Sequence, residues 1–411
     1  MVAHRFERRE EPIVRLRRWF EIVLVLAIAG LLASCGNDEP QPGFESVQID
    51  DGAPIVIGVS TMLEGELSSV GQALRDAAVL AGEGVSIAGH PIEFVEADDG
   101  CTEEGGAAAA QELTGSDGLV AVVGPSCSDA VLGAEPVFEG AGITHISQLS
   151  TNTATTDPED RAPFPTFLRT VFNDAIQGAE QANFAERDLG AGSVFIVYEA
   201  FRYGGASDAF RSSFGGTFSD DVGFDDVSEF PDIASAIVSA DPDLVYFSGF
   251  YPTGIPFVRT VRDAGYAGPI LAGDAMYDQA MIDGLGELAE QELYVTLPSP
   301  PLQGPEFEDF RAKYQDAFGA DPTTTSFTAE SFDAATAIVQ GLQADGVVEQ
   351  GDGGITVDLA ALNAAIHDVA FDGASGPIRF DAGGDRVTEG VTPVTVFVVR
   401  CDVFEPVPRE E

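Results

Sequence analysis

The chain contains the stretch DDGCTEEGGAAAAQELTGSDGLVAVVGPSCSDAVLGAEPVFEGAGITHISQLST, residues 98–151. Cys101 and Cys127 bracket an alanine-rich segment of helical character and a short, continuously apolar segment that is typical of a buried strand. Ser128 follows the second cysteine, and Thr151 closes the stretch. This alternation of helix and buried strand predicts a parallel sheet covered by helices. We expect its polar turns to form one wall of a cleft that holds a small polar molecule.

The same alternation extends through the first part of the chain. The predicted strands are 55–60, 91–97, 119–124 and 143–146, and the predicted helices are 72–83, 103–114 and 129–140. The loops that follow these strands should meet at one edge of the sheet, because the strands run parallel. Those loops are 61–71, 125–129 and 148–152.

A second series of helices and strands begins near residue 172. The predicted elements are a helix at 174–187, strands at 193–198, 244–247 and 270–272, helices at 306–318, 325–343 and 359–371, and a terminal strand at 391–399. Its strand-end loops are polar and aromatic, with Tyr203, Phe250, Tyr251, Asp274 and Tyr277. The chain of 411 residues is too long for one ordinary core, so the sequence predicts an α/β protein of two lobes.

The charge of the chain excludes one large class of partners. It carries 68 acidic and 20 basic residues, a formal net charge of -48. Phosphate backbones would repel such a surface, so no nucleic-acid binding is expected. The acidic residues are spread along the chain, which is typical of a solvated surface, and we expect a monomer.

The N-terminal segment predicts export and lipid anchoring. An arginine-rich start precedes the apolar run 22–32, which is too short to span a bilayer comfortably and about right for the core of a signal peptide. The run ends in LASCG, which resembles a bacterial lipobox and implies a signal peptide over 1–34 and a lipid on Cys35. An ordinary secretory signal is the alternative, and the RRWF stretch faintly resembles a twin-arginine signal. The polar residues 35–52 then predict a flexible tether, with the protein held at the outer face of the cytoplasmic membrane.

Three cysteines remain after Cys35. Cys101 and Cys127 each lie at the end of a strand-like segment, so the fold is able to bring them together in an oxidising compartment. Cys401 follows the terminal strand, and we expect it to be a small buried residue. None of the cysteine spacings is typical of a zinc site, and the four histidines are scattered, so neither a metal nor a cofactor is predicted.

The ordered set of motifs resembles the bacterial solute-binding proteins of ABC importers, of the leucine/isoleucine/valine-binding type. The motifs that carry this resemblance are IVIGVSTMLEGELSSVGQALRDAAVLA, EFVEADDGCTEEGGAAAAQEL, VVGPSCSDAVLGAEPVFEGAGI, VFIVYEAFRYGG, LVYFSGFYPTGIPFVRTVRDAG, ILAGDAMYD and GASGPIRFDAGGDRV. The resemblance implies the type I periplasmic-binding-protein fold, in which two lobes close on a small ligand. Lobe 1 would comprise 53–170 with 299–385, and lobe 2 would comprise 171–298 with 386–411, joined by crossover segments.

The resemblance also implies a disulfide between Cys101 and Cys127 and a set of ligand-binding residues. Hydroxyl and backbone donors would hold the ligand carboxylate without a competing charge, and an acid of the second lobe would pair with its ammonium. The residues at the matching positions are Ser128, Leu149, Ser150, Thr151, Tyr203, Phe250, Tyr251 and Asp274. The side-chain pocket differs from the usual pattern at Val70, at Phe250, where a tyrosine is common, and in the acidic loop 63–66.

Four of these residues also have a purely structural explanation. Ser128 suits the N-cap of the following helix, and Asp274 suits a cap for the helix near Asp278. Thr151 is an ordinary turn residue, and Tyr203 fits a surface loop.

The sequence therefore predicts a receptor that binds a small polar ligand, most of all an aliphatic or branched-chain amino acid, and delivers it to an ABC permease. Two alternatives stay open, namely a sensor of the same fold and a binder of amides, urea or aromatic acids. An enzyme is not expected, because the chain has no Gly-x-Ser-x-Gly elbow, no phosphate loop and no metal-ligand cluster in its sequence.

Overall fold

The computed structural model describes residues 43–156, 164–199 and 204–408. The predicted signal peptide, the lipid-anchor residue Cys35 and the start of the predicted tether lie outside these ranges, as does Tyr203. Nowhere in the described ranges is a helix both long enough and apolar enough to cross a membrane.

Strands and helices alternate along most of the chain. The strands of the first half are β1 (Ser46–Asp50), β2 (Ile55–Thr61), β3 (Ser86–Ile87), β4 (His90–Asp98), β5 (Leu119–Val123), β6 (Thr144–Ser147), β7 (Phe167–Arg169), β8 (Ser193–Glu199) and β9 (Thr217–Phe224). Those of the second half are β10 (Leu244–Ser248), β11 (Ile270–Ala272), β12 (Leu293–Leu297), β13 (Val348–Gly351), β14 (Gly354–Asp358), β15 (Ala370–Gly373), β16 (Gly376–Arg379), β17 (Thr395–Arg400) and β18 (Val403–Pro406).

The helices cover the faces of the sheets that these strands form. They are α1 (Ser68–Gly82), α2 (Glu103–Thr114), α3 (Ser128–Ala141), α4 (Asp174–Arg187), α5 (Gly204–Ser213), α6 (Phe230–Ala240), α7 (Tyr251–Asp263), α8 (Gln279–Leu285), α9 (Pro305–Phe318), α10 (Thr328–Leu342) and α11 (Leu359–His367).

Two large sheets form the core of the molecule. The first sheet has six strands in the order β3-β4-β2-β5-β6-β7, and all its pairs except β3–β4 are parallel. The second sheet has seven strands in the order β18-β17-β12-β11-β10-β8-β9, with its two antiparallel pairs at β17. Every residue of β2, β5 and β10 is buried, as expected of parallel strands covered on both faces. The predicted α/β class is confirmed.

Close contact between α2 and α3 fixes the start of α3. A Cβ atom added to Gly106 would lie 2.0 Å from the carbonyl oxygen of Ala130, and one added to Gly133 would lie 1.9 Å from that of Glu103. Only glycine permits such an approach, so the two helices touch backbone to backbone. The N-terminal turn of α3 is therefore held firmly at the carboxyl edge of the first sheet.

Three segments pass between the two sheets, one after β7, one after β12 and one before β17. They are hydrogen-bonded to each other: the amide of Phe172 donates to Pro298 O at 3.0 Å, and Arg386 Nη1 donates to Thr170 O at 2.8 Å. Arg386 is only 2% exposed. The lobe boundaries given above remain a prediction.

Buried acids surround Arg386 at this crossing. Burial raises the pKa of Glu330 to about 7, and burial likewise raises that of Asp333 to about 6. Asp333 accepts hydrogen bonds from the amides of Ala374 and Ser375, both at 2.8 Å. The Arg386 guanidinium and these buried acids therefore lie together where the chain crosses between the sheets. The hydrogen bonds that the acids accept lie there as well, and so does the desolvation cost of their burial.

The prediction of a tether through residue 52 is wrong in its second half. Ser46–Asp50 forms β1, which pairs antiparallel with β14, with Ile49 opposite Ile355. Val47 and Ile49 alternate with polar residues, and Ile49 is 4% exposed. Because of this alternation, the apolar residues of β1 face one side and pack against the sheet of β13 and β14. The polarity of the segment as a whole masks the alternation in the sequence.

The prediction that Cys401 is buried is also wrong. It is exposed and unpaired, in the two-residue turn between β17 and β18. Cys401 and Asp402 have φ angles of 50° and 61°, the left-handed backbone that a tight hairpin turn requires. The predicted helix at 359–371 is shorter than expected, because it ends at His367 and Ala370–Gly373 forms β15.

Candidate functional site

A cavity of about 50 Å³ lies where the carboxyl ends of strands from both sheets face each other. Its position agrees with the rule that ligands of parallel α/β sheets bind beyond the carboxyl ends of the strands. We call it the head-group cavity. The residues that line it are Cys101, Cys127, Ser128, Asp129, Leu149, Thr151, Asn152, Asp174, Gly205, Phe250 and Asp274.

The structure brings together most of the predicted ligand-binding residues. Ser128, Leu149, Thr151, Phe250 and Asp274 all line the head-group cavity, although up to 146 positions separate them in the sequence, from 128 to 274. Two predicted residues lie one step away. Tyr251 lines an adjoining cavity, and Ser150 is fully buried behind Ser128. The role of these residues in binding stays a prediction.

A disulfide bond and a buried carboxylate hold one wall of this cavity. Cys101 and Cys127 are bonded, as predicted, with their Cα atoms 5.0 Å apart. Asp99 is fully buried beneath them and accepts hydrogen bonds from the amides of Cys101 and Ser126, each at 2.9 Å. Burial raises the pKa of Asp99 to about 6, although these amides oppose the shift. Asp99 therefore ties the loops after β4 and β5 to each other.

Ser128 is the first residue of α3, and the N-cap position belongs to Cys127. The N-cap explanation of Ser128 is therefore wrong. Its Oγ accepts hydrogen bonds from Ser150 Oγ at 3.0 Å and from the amide of Asn152 at 3.2 Å. This arrangement leaves its O–H group as a donor beside the N-terminus of α3, where an anion is favoured.

Two buried carboxyl groups also line the head-group cavity. Asp274 and Asp174 are each only 6% exposed. Burial, then the charge of Asp174, raises the pKa of Asp274 to about 7, while a hydrogen bond from Gln177 opposes the rise. Burial also raises the pKa of Asp174, against a hydrogen bond from Thr151 and the charge of Arg169. Two buried carboxyl groups at one cavity favour a ligand with a positively charged group.

The structural explanation of Asp274 as a helix cap is also wrong. Asp274 begins the short 3₁₀ helix Asp274–Met276, and α8 is capped by Asp278, whose carboxylate accepts from the amide of Ala280 at 2.8 Å. Asp274 lies directly after β11 at the carboxyl edge of the second sheet.

Sequence reasoning missed Asp174 and Asn152 as cavity residues. The sequence pattern indicates only that Asp174 starts a helix, although the residue follows a crossover segment between the two sheets. Its amide donates to Thr151 O at 2.7 Å, which binds the start of α4 to the predicted ligand loop. Asn152 caps the next turn through its side chain, while its carbonyl oxygen accepts from the buried Arg169.

Two further cavities adjoin the head-group cavity and share residues with it. One, which we call the apolar cavity, has a volume of about 20 Å³ and is lined by Met62, Leu67, Val70, Leu149, Phe250, Tyr251, Asp274, Ala275, Tyr277, Asp278 and Ser326. The other, which we call the acidic chamber, has a volume of about 300 Å³ and is lined by Met62, Glu64, Gly65, Glu66, Leu67, Gly100, Cys101, Glu199, Phe250, Pro252 and Thr253.

Hydrogen bonds connect loops of the two sheets around these cavities. Tyr251 at the start of α7 donates its hydroxyl to Glu66 O at 3.2 Å. Tyr277 donates to Thr323 O at 3.3 Å. Within the described ranges, no group of three or more His, Cys, Asp or Glu residues is arranged to hold a metal ion.

Residues 54–400 match the model of a family described as periplasmic binding protein. Among curated proteins, the chain is 27% identical to the Leu/Ile/Val-binding protein of Escherichia coli, over 78% of this chain and 82% of that protein. It is 29% identical to an amino acid binding protein of Pseudomonas aeruginosa, over 54% of this chain and 61% of that protein, and so matches less than two thirds of its length.

Solved structures show the same similarity. A leucine binding protein from Thermotoga maritima superposes with a TM-score of 0.75 at 25% identity, covering 86% of this chain and 98% of that one. A solute binding protein from R. palustris in complex with benzoate reaches a TM-score of 0.72 at 20% identity, covering 86% and 95% of the two chains. The similarity to this second structure shows a shared fold.

Proposed function

Since this chain belongs to the periplasmic binding protein family, we propose that it captures an aliphatic α-amino acid between its two lobes and delivers it to an ABC importer. The observation that carries the proposal is the polarity of the head-group cavity. Its lining combines hydroxyl donors and a helix N-terminus with two buried carboxyl groups. Such a cavity matches a zwitterion.

The ligand carboxylate would be held by Ser128, Thr151 and the N-terminus of α3. Neutral donors suit this role, because they stabilise the anion without a competing counter-charge in the cavity. The disulfide and Asp99 keep the donors in place before the ligand arrives, which lowers the entropy lost on binding.

The ligand ammonium would be paired with Asp274, supported by the negative charge of Asp174. The cost of burying Asp274 is visible in its raised pKa, and an ammonium beside it offsets this cost. An acid without an amino group, such as benzoate, would face two carboxyl groups with no compensating charge. This contrast favours an amino acid over an aromatic acid.

Closure follows from the same polarity. Ser128 and Thr151 follow strands of the first sheet, whereas Asp274 follows β11 of the second. A ligand held at both ends favours the state in which the lobes are closed, and the crossover segments near Thr170, Pro298 and Asp385 would act as the hinge. A lipid on Cys35 would keep the protein beside its permease at the outer face of the membrane.

Titration calorimetry of the purified protein with isoleucine, leucine, valine and benzoate tests this function. We expect one molecule of an aliphatic amino acid to bind per chain and to be recovered unchanged. A ligand at about 100 times its Kd should raise the free energy of unfolding by about 2.7 kcal/mol. Binding of benzoate alone would leave the fold assignment intact and refute the proposed ligand, and chemical turnover of the amino acid would refute the receptor role.

A further inference from the structure

We infer that Phe250 is a partition that restricts the ligand to an aliphatic side chain by separating the head-group cavity from the acidic chamber. This inference rests on the proposed amino acid function. Phe250 lines the head-group cavity, the apolar cavity and the acidic chamber. No other described residue lines all three of these cavities. Its side chain thus lies where the paths out of the head-group cavity diverge.

The position of Phe250 is set by the backbone. It directly precedes α7, and its carbonyl oxygen accepts hydrogen bonds from the amides of Thr253 at 3.1 Å and Gly254 at 2.8 Å. The side chain is half-buried and packs against the core of the second sheet. The next residue, Tyr251, is bonded across the cleft to Glu66 O. The backbone of Phe250 is thus fixed at the start of α7, and its ring packs against the core as a wall between the cavities.

The two spaces beyond this wall differ in chemistry. The apolar cavity has a volume of about 20 Å³ and is lined by apolar side chains such as Met62, Val70 and Leu149, and also by Asp274 and Asp278. The acidic chamber has a volume of about 300 Å³. Three glutamates line it, namely Glu64, Glu66 and Glu199, and its described lining contains no lysine, arginine or histidine. The first space is too small for a long side chain, and the second has room for a long side chain that ends in a cation.

Removal of the ring should therefore change the class of the ligand. An aliphatic side chain would lose its contact with Phe250, while a longer side chain would gain a path into the chamber. A terminal ammonium would there lie near Glu64 and Glu66, both of which are exposed. Exposed carboxylates contribute modestly to an ion pair, and salt screens them, so the gain should be sensitive to ionic strength. In the unmodified protein the chamber is not a ligand site.

The test compares the unmodified protein with Phe250→Ala, using calorimetry with isoleucine, norleucine and lysine. We expect the ratio of the Kd for lysine to the Kd for isoleucine to fall by about tenfold or more in the variant. Norleucine, which is long and uncharged, should gain less than lysine at low salt and equally at about 1 M salt. The conservative variant Phe250→Tyr keeps a ring and should retain the preference for isoleucine, and Phe250→Leu replaces the alanine variant if that variant does not fold.

A second set of variants identifies the source of the change. Glu64→Gln with Glu66→Gln, placed in the Phe250→Ala background, should reduce the gain for lysine toward that for norleucine and leave the gain for norleucine unchanged. The pair Glu287→Gln and Glu290→Gln removes two exposed charges elsewhere and should have no such effect. An unchanged lysine-to-isoleucine ratio in Phe250→Ala, with isoleucine still bound by the unmodified protein, overturns the partition alone. No binding of any amino acid by the unmodified protein overturns both the partition and the proposed function.

Discussion

Two carboxyl groups dominate the chemistry of the site at the scale of single residues. Asp274 and Asp174 are both buried at one cavity, and their charges disfavour each other. A protein tolerates this arrangement when a ligand supplies the missing positive charge. Burial of these two carboxyl groups therefore destabilises the ligand-free protein, and a bound ligand with a positive charge offsets that cost.

Replacement of Asp274 should separate binding from stability. In Asp274→Asn we expect the Kd for an aliphatic amino acid to rise by about a hundredfold, because the ammonium loses its partner in a buried site. The melting temperature of the ligand-free variant should stay the same or rise, since a buried charge has been removed. Asp232→Asn removes an exposed charge on α6 and serves as the control in calorimetry and thermal melts. Equal losses of affinity and stability would make Asp274 a structural residue.

The raised pKa of Asp274 predicts that binding depends on pH. At a pKa of about 7, the carboxyl group of the ligand-free protein takes up a proton as the pH falls through neutrality. The ammonium pairs with the ionised form, so the Kd should rise by up to about tenfold for each pH unit below about 7, and binding should release a proton. Calorimetry in buffers of different ionisation enthalpy measures both effects. A Kd that is constant from about pH 5.5 to about pH 8 would contradict this prediction.

At the scale of elements, the start of α3 is the best-supported part of the site. The disulfide joins it to the loop after β4, Asp99 joins that loop to the end of β5, and Gly106 and Gly133 bring α2 against it. The donors Ser128 and Thr151 inherit their positions from these contacts. Preorganised donors bind an anion more tightly than mobile ones, because less entropy is lost.

Removal of the disulfide should weaken both the fold and the site. The chain-entropy model assigns a loop of this size about 3 kcal/mol, so we expect Cys101→Ser with Cys127→Ser to lower the melting temperature by several degrees. The Kd should rise as well, because the start of α3 becomes more mobile. Cys401→Ser alters an exposed, unpaired cysteine and should leave both quantities unchanged. If the double variant has a lower melting temperature but an unchanged Kd, the disulfide stabilises the fold and does not position the site.

Two strands that the sequence did not predict share a physical cause. The strand β9, Thr217–Phe224, is mostly exposed and includes two consecutive aspartates, so it shows neither a continuous apolar run nor clean alternation. The strand β1 lies in a polar segment, and its two apolar residues are buried only because β14 lies beside it. Both are strands whose stability comes from their neighbours, and a local pattern does not record neighbours.

At the scale of the whole molecule, the buried acids couple folding to pH. Burial raises the pKa values of Asp99 and Asp333 to about 6 and those of Asp274 and Glu330 to about 7, above their ordinary values of 3.8 for aspartate and 4.5 for glutamate. Between about pH 4 and about pH 7, the folded protein thus binds more protons than the unfolded chain. The free energy of unfolding of the ligand-free protein should therefore be highest near about pH 4 and fall as the pH rises to about 7.

Thermal melts of the ligand-free protein at about pH 5.5 and about pH 7.5 check this expectation, and the melting temperature should be lower at the higher pH. The formal net charge of -48 acts in the same direction through surface repulsion. Melts in about 1 M salt separate the two causes, because salt screens exposed charges far more than buried ones. A melting temperature that rises with pH in high salt would contradict the assignment to the buried acids.

The sequence by itself determined the α/β class, the periodic placement of most helices and of several central strands, and the loops that follow those strands. These features depend on local patterns of apolar residues, which can be recognised in the sequence without knowledge of the tertiary structure. The resemblance to the family, rather than these patterns, singles out Ser128, Thr151 and Asp274 among the strand-end residues. Only the tertiary structure decided that Asp174 joins Asp274 at one cavity and that Phe250 lies between three cavities. Those relations join residues that are distant in the sequence, and burial and mutual charge arise only when packing brings them together.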